Sequence, residues 1–521
     1  MNVNLIKNDT LLKSSINNTV ISLLSSLMLY LSYFIIAYKF GAKSSTDIYF
    51  FGVSFIQLGS SIITSIITFI FLPIFVKLRV QGKIEDSMKL ASIFLSWILI
   101  VSLVIGAVLL FFTVDVFSIF SKFEILQLKN NSRMLSYFSY IFVLTVIVEF
   151  VKVLIQSHGQ FIIPATSTLF LNTVTVISIL LLPKYLSIES LAIALLFARM
   201  VQLSYLTRYI YMMGIRLKIN LAANASMMEL VIVGLPFWLS NIFTIFATYY
   251  FDFAASGLHG GTLTALSYAQ KIYILPSAIL FAPILEVMST KFAQYYASGS
   301  QILFREQYEK ILKLVTFTLL PISAILIFFS YELVEIAFHR GEFSLENVKV
   351  SSNCLRIYSI IIPAICFFQI NGRISLSMQK TLWPSIFGLV GHLLMVYFTK
   401  LFVLRYGYLG IPLARTLTEL LYFLPFGFIC TYYYLGDIGL NKFIKVFWKN
   451  LLIVLFSITI TRWVLYPLVL HIWQYVSSSL LFPISISFIM YAIIYYFICR
   501  YFKIEIIQFI EYKLLNYKKL I

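Results

Sequence analysis

A chain of 521 residues that is 60% hydrophobic and only 12% charged does not have the composition of a soluble globular protein, in which about a quarter of residues carry charge. Its net charge of +18 would point to nucleic acid in a soluble protein; here Lys and Arg gather in alternate loops and set orientation in a membrane. Cys354, Cys366, Cys430 and Cys499 show no CxxC spacing, so they read as small apolar fillers, with neither a disulfide framework nor a metal site.

A helix needs about 20 mostly apolar residues to cross about 30 Å of hydrocarbon. Fourteen runs meet this, over residues 17–40, 48–77, 88–112, 133–157, 161–183, 186–213, 227–251, 264–290, 310–334, 349–372, 379–402, 408–435, 446–468 and 478–500. The runs are continuous, whereas an outer-membrane barrel shows short segments of alternating polarity. The sequence therefore predicts an all-α polytopic membrane protein with about 14 transmembrane helices. Its start, MNVNLIKNDTLLKSS, lacks a cleavable signal pattern, so the first helix is expected to stay in the mature protein.

With the N-terminus placed inside, most of the 39 Lys and Arg fall in the tails and in loops after even-numbered helices. Lys77, Arg79, Lys83 and Lys89 surround one inner loop, and Glu332, Glu335, Glu342 and Glu346 surround an outer one. The expected organisation is a cytoplasmic tail 1–16, a lobe 17–213, a second lobe 227–435, a helix pair 446–500 and a cytoplasmic tail 501–521. A weak duplication links the lobes: Phe40-Gly41 through Thr46-Asp47 in the first, and Ala255-Ser256-Gly257 through Thr264 in the second. Parallel repeats of this kind recur in transporters, with the substrate site between the halves.

Ionisable groups inside spans are costly and suggest function by default. Arg199 and Arg356 have no acid three or four residues away and are the better cavity candidates. Glu149 with Lys152, and Arg415 with Glu419, have the spacing of helical ion pairs. Asp47 reads either as a gate group or as a plain N-cap. His392 reads as a proton-linked switch or as hydrogen-bonded structure. Ser61, Ser65 and Thr68 share one helical face, suited either to close helix packing or to sugar hydroxyls. No Walker A, H-E-x-x-H or G-x-S-x-G pattern occurs, which leaves no signature for a nucleotide, a cofactor or an enzyme.

Several stretches fall in a collinear order: Lys39-Phe40-Gly41-Ala42 with Thr46-Asp47, Leu72-Pro73, Tyr268-Ala269-Gln270-Lys271 with Leu275-Pro276, Phe292-Ala293 followed by Ala297-Ser298-Gly299, Phe338-His339-Arg340-Gly341-Glu342-Phe343, and Ser377-Met378-Gln379-Lys380-Thr381-Leu382-Trp383-Pro384. This set, over roughly residues 20–435, resembles the bacterial lipid II flippase family (MurJ/MviN) of the multidrug/oligosaccharidyl-lipid/polysaccharide exporter superfamily. The resemblance implies a multi-pass inner-membrane transporter with both termini cytoplasmic. Its partners would be membrane lipid and an undecaprenyl-pyrophosphate-linked glycan, moved from inner to outer leaflet, with no nucleic acid and no nucleotide. It also implies a phosphate contact at Lys271, and with Asp47, Arg199 and Arg356, candidates from their own positions, this makes the expected substrate-binding set.

The departures bear on substrate. Where the family's first helix carries Arg, Arg and Asp, this chain reads Ser26, Ser32 and Tyr33, and the second-helix L-R-R falls on Gly59-Ser60-Ser61. Ser26, Ser32, Ser60 and Ser61 thus stand where the resemblance places cavity cations. Pyrophosphate capture is expected to weaken unless Lys271, Arg199 or Arg356 compensates, which leaves O-antigen or exopolysaccharide repeat units as the rival cargo. Ion coupling by Na+ or H+ falls on Asp252 and His392, although Gly391-His392-Leu393-Leu394 lacks the family's oxygen ligands. A membrane-embedded glycosyltransferase or polymerase would need larger outer loops than this sequence offers.

Overall fold

Backbone groups in hydrocarbon have no water to bond, so apolar runs of this length satisfy their amides within helices. The computed structural model describes residues 2–182, 187–221, 241–378, 380, 382–436, 439–473 and 480–508, and among these every regular element is helical. Among the described residues ten helices are long and apolar enough to cross a membrane, or eleven if the bent pair Leu345–Ser359 and Ile362–Ser377 is one span. Counting the pair, that is three short of the fourteen expected runs, and one of the three is 264–290, which is divided among Thr262–Pro276, the π-helical turn Ser277–Phe281 and Ala282–Ala297 and is not among these spans. The helical stretch Leu382–Leu435 takes in two expected spans. The expected span 227–251 lies partly outside the described residues.

Prolines shape the helices without ending them. π-helical turns at Ile67–Phe71, Glu419–Phe423 and Thr461–Leu465 immediately precede Leu72-Pro73, Leu424-Pro425 and Tyr466-Pro467. A proline lacks the N–H for the previous turn and crowds its carbonyl, and one widened turn absorbs both effects.

The chain forms two compact units. The first comprises Met1–Thr264 and the pentapeptide Arg340–Ser344. Within it the helix Ser132–Gln156 packs against Ser44–Ile66, Ile84–Phe111 and Glu189–Met212, and Asn2–Phe40 packs on Ile162–Leu181. The pentapeptide docks on the turn after the first helix. Glu342 N–H donates to Tyr38 O at 3.0 Å, and Lys43 Nζ meets the Glu342 carboxylate at 2.7 Å. Glycine is required on both sides of this contact. Gly41 (φ +65°) and Gly341 (φ +62°) adopt left-handed backbone, and a Cβ on either would lie 2.2 or 2.1 Å from a carbonyl oxygen of the other turn.

Asp47 completes this end of the unit in a way the sequence reading did not anticipate. Its helix starts at Ser44, so Asp47 sits inside the first turn and is not the residue before it. Its buried carboxylate accepts from Gly261 N–H (2.6 Å), Thr264 N–H (2.7 Å) and Thr264 Oγ1 (2.5 Å). Asp47 therefore caps the helix Thr262–Pro276, over two hundred residues away, where orphan amides and the helix dipole favour an anion.

The second unit comprises Ala265–His339 and Leu345–Ile521. Its helices Leu440–Ile460 and Leu481–Tyr501 pack together, with Tyr495 OH donating to Phe317 O (3.1 Å). Arg462 joins Glu332 at 2.5 Å, its guanidinium lying 4.9 and 5.0 Å from the Phe329 and Tyr466 ring centres. All four cysteines are buried and free, as the sequence reading expects of apolar fillers.

Candidate functional site

Side chains from four helical segments of the first unit enclose a polar cavity of about 400 Å³. The stretch from Gln57 to Thr68 supplies Ser60, Ser61, Thr64 and Ser65 besides its two end residues. The helix Ser132–Gln156 adds Thr145 and Glu149, Glu189–Met212 adds Arg199, and residues 241–255 add Asn241. This volume is in the range of small-ligand sites, about 300–1,000 Å³. The face of Ser61, Ser65 and Thr68 that helical spacing brings together does line it.

Several of the hydroxyls are committed to the backbone. Ser60 donates to Ile56 O (2.7 Å), Ser65 to Ile62 O (2.7 Å), Thr68 to Thr64 O (3.0 Å) and Thr145 to Ile141 O (2.7 Å). A hydroxyl that spends its one proton on the preceding turn has only acceptor lone pairs left. The cavity wall is therefore rich in acceptors, and Arg199, Gln57 and Asn241 bring the N–H donors.

Arg199 is the one cation among the lining residues. Its Nη1 donates to Gln202 Oε1 at 2.9 Å. The fully buried Gln202 in turn donates from Nε2 to Ser167 Oγ (3.3 Å), whose proton goes to Pro164 O (2.7 Å). Among the described residues, Arg199 Nε has no hydrogen-bond partner. Lys152 Nζ meets Glu149 at 2.9 and 3.2 Å, the i,i+3 pair read from the sequence. Gln202 stands at i+3 from Arg199, where an amide carries the same positional signal as an acid, whereas Ser167 lies on another helix and no spacing points to it.

The remaining candidates lie elsewhere. On the first helix, Ser26 Oγ donates to Ser22 O (2.9 Å) and the buried Ser32 to Leu29 O (2.6 Å); neither lines the cavity. Asp252, half-buried in the first unit, accepts a short hydrogen bond from Ser54 Oγ. Lys271 is half-buried on Thr262–Pro276 in the second unit. Arg356 is exposed there, with Nε donating to Ser330 Oγ at 3.3 Å. His392 Nδ1 bonds Gly388 O at 2.6 Å beside the Phe423 ring. Arg415 lies over Tyr273, its guanidinium 5.6 Å from the ring centre. Among the described residues no group of three or more His, Cys, Asp or Glu is placed to hold a metal ion.

The second unit carries an apolar groove of about 890 Å³ between Leu440–Ile460 and Leu481–Tyr501. Leu452, Phe456 and Phe497 line it. Lys449 also lines it, donating to Phe502 O at 2.8 Å.

Spanning-length apolar helices around a charged, hydroxyl-rich cavity are the architecture of a multi-pass membrane protein with a polar site. A solved structure of lipid II flippase MurJ in an inward closed conformation superposes with a TM-score of 0.78, covering 96% of this chain and 100% of that one at 16% identity. An inward-facing multidrug resistance MATE family transporter of the MOP superfamily gives 0.62 at 14% identity, covering 79% of this chain and 98% of that one. The family model described as lipid II flippase MurJ matches residues 36–491. A probable lipid II flippase MurJ of Buchnera aphidicola subsp. Schizaphis graminum is 24% identical over 451 residues, covering 84% of this chain and 86% of the relative. Another, of Aquifex aeolicus, is 25% identical over 269 residues, covering 50% of this chain and 52% of the relative. This chain belongs to the lipid II flippase MurJ family, a family of transporters.

Proposed function

We propose that this protein moves lipid II, or a closely related undecaprenyl-pyrophosphate-linked glycan, from the inner to the outer leaflet of the bacterial inner membrane by alternating access, with both termini cytoplasmic. The observation that carries this reading is the polar cavity of the first unit, in which acceptor-rich serine and threonine hydroxyls face Arg199. The physical task is to pass a hydrated anionic headgroup through hydrocarbon while the lipid tail stays in an apolar setting. Hydroxyl lone pairs replace water for the sugar O–H donors, and a guanidinium replaces water for the phosphate oxygens. The groove along the last two helices suits a polyprenyl chain, since its lining is almost wholly apolar.

Family membership favours lipid II itself as the cargo. Ser60 and Ser61 bring no charge to the cavity, and Arg199 of the helix Glu189–Met212 lines the same space, which supports its role as the compensating cation. Asp252 and His392 are the candidates for Na+ or H+ coupling. The test is reconstitution of the full chain in proteoliposomes with lipid II and measurement of its exchange between leaflets. Exchange above protein-free vesicles supports the reading, and exchange equal to them at verified reconstitution contradicts it.

A further inference from the structure

A second apolar groove of the second unit, of about 600 Å³, runs between Leu424–Leu435 and the first turns of Leu440–Ile460. It shares no lining residue with the groove along the last two helices. Phe367, Phe428, Phe443 and Phe447 form one cluster of rings along it, with centres 5.4–6.4 Å apart. The exposed Tyr432 and Trp448 stand on its two walls. The turn that joins the walls is fixed from the protein side. Arg305 Nη2 donates to Leu435 O at 2.5 Å, and Gly436 and Gly439 adopt left-handed backbone at φ +71° and +66°.

The start of the second wall, LNKFIKVFWK, is amphipathic. Leu440, Phe443, Ile444, Phe447 and Trp448 recur at three- and four-residue spacing and line the groove, whereas Asn441, Lys442, Lys445 and Lys449 are exposed. Lys449 is committed to Phe502 O. Among the described residues Lys442 and Lys445 form no ion pair. Lysines on one face with Trp, Phe and Leu on the other are the pattern of a helix at the boundary between headgroups and acyl chains. Tyr432 and Trp448, each a polar tip on an apolar ring, suit the same depth.

We infer that this groove binds one anionic phospholipid, with an acyl chain between the two walls and the phosphate at Lys442 and Lys445. From Leu440 to Trp448 the helix covers about 12 Å, so a chain lies along the groove. Charge complementarity selects the occupant. A lysine binds phosphate as a point charge and makes no bidentate demand, which matches a single phosphodiester. A zwitterionic phospholipid brings its own ammonium and offers the two lysines no net charge.

The experiment titrates the purified full-length protein in neutral detergent with phosphatidylglycerol, phosphatidylcholine and undecaprenyl phosphate, and reads bound lipid by mass spectrometry of the intact protein. Phosphatidylglycerol is expected to bind about tenfold or more tighter than phosphatidylcholine, and K442Q/K445Q to remove most of that preference. High salt should weaken the preference in the unmodified protein, since exposed charges are screened. Dihexanoyl phosphatidylglycerol, whose chains are too short to fill the groove, should bind more weakly than the long-chain lipid. Equal binding of phosphatidylglycerol and phosphatidylcholine, an unchanged preference in K442Q/K445Q, or equal binding of the dihexanoyl lipid would each overturn the assignment. Displacement of phosphatidylglycerol by undecaprenyl phosphate at equal concentration would overturn it too, and give the groove to a prenyl chain. None of these readings depends on transport.

Discussion

Removing the Asp47 carboxylate should detach the start of the helix Thr262–Pro276 from the rest of the first unit. The carboxylate is 2% exposed and accepts three hydrogen bonds, from two backbone amides and one hydroxyl. A hydrogen bond to a charged group contributes about 1.5–3 kcal/mol, and a buried donor left without a partner costs about 1–3 kcal/mol. Asp47→Ala strands the Gly261 and Thr264 amides together, so the loss should be about 3 kcal/mol or more. Asp47→Asn keeps one acceptor oxygen but turns an N–H toward the helix terminus, for an intermediate loss of about 1–2 kcal/mol. Thr264→Val removes only the hydroxyl donor and should cost about 1 kcal/mol. Unfolding by SDS titration in mixed micelles, followed by tryptophan fluorescence, ranks the three. An Asp47→Ala protein as stable as the unmodified one, or a Thr264→Val protein as unstable as Asp47→Ala, would refute the capping role.

Gly41→Ala should destabilise the first unit by more than the roughly 1–2 kcal/mol of a left-handed alanine, because its methyl also meets the Glu342 carbonyl; the same titration checks this. The Lys43 ammonium holds the exposed Glu342 carboxyl below its ordinary value of 4.5, so the stabilisation it gives is full above that value and fades as pH falls through the lowered one. The melting difference between unmodified protein and Glu342→Gln should therefore be present at neutral pH and shrink as the pH falls below 4.5, as a melting series against pH would record. Lys271→Ala should abolish lipid-linked glycan exchange and Lys271→Arg retain part of it; full exchange by the Ala variant in proteoliposomes would return Lys271 to a headgroup-facing role. Reporter fusions after residues 84, 300 and 440 should read cytoplasmic and those after 124, 260 and 343 periplasmic, and inversion at two internal sites would reject the orientation.

The helical membrane architecture was legible because length and apolarity alone decide whether a segment can span. The polar face of Ser61, Ser65 and Thr68 was legible from the helical period, and the Glu149–Lys152 pair from its spacing. Local patterns carry no information about contacts between distant segments, and the sequence reading went astray there. Asp47 has the sequence context of a cap for its own helix, yet the donors it meets are at Gly261 and Thr264. Likewise the motif turns at Gly41 and Gly341 reveal the same steric need only when placed face to face. Ser26 and Ser32 share the residue type of Ser60 and Ser61 but lie outside the cavity, which no residue of the first helix lines, a matter of packing between helices that composition does not encode.

Delivery of lipid II to the outer leaflet by this chain is what the flippase reading requires. The most direct measurement is the fraction of lipid II accessible to an outer-leaflet probe in cells depleted of their own lipid II flippase and expressing this chain. Accessibility should return toward the undepleted level with the unmodified chain and fall with R199A at equal membrane abundance. Accessibility that stays at the depleted level with the unmodified chain, while an established lipid II flippase restores it in the same cells, would contradict the account.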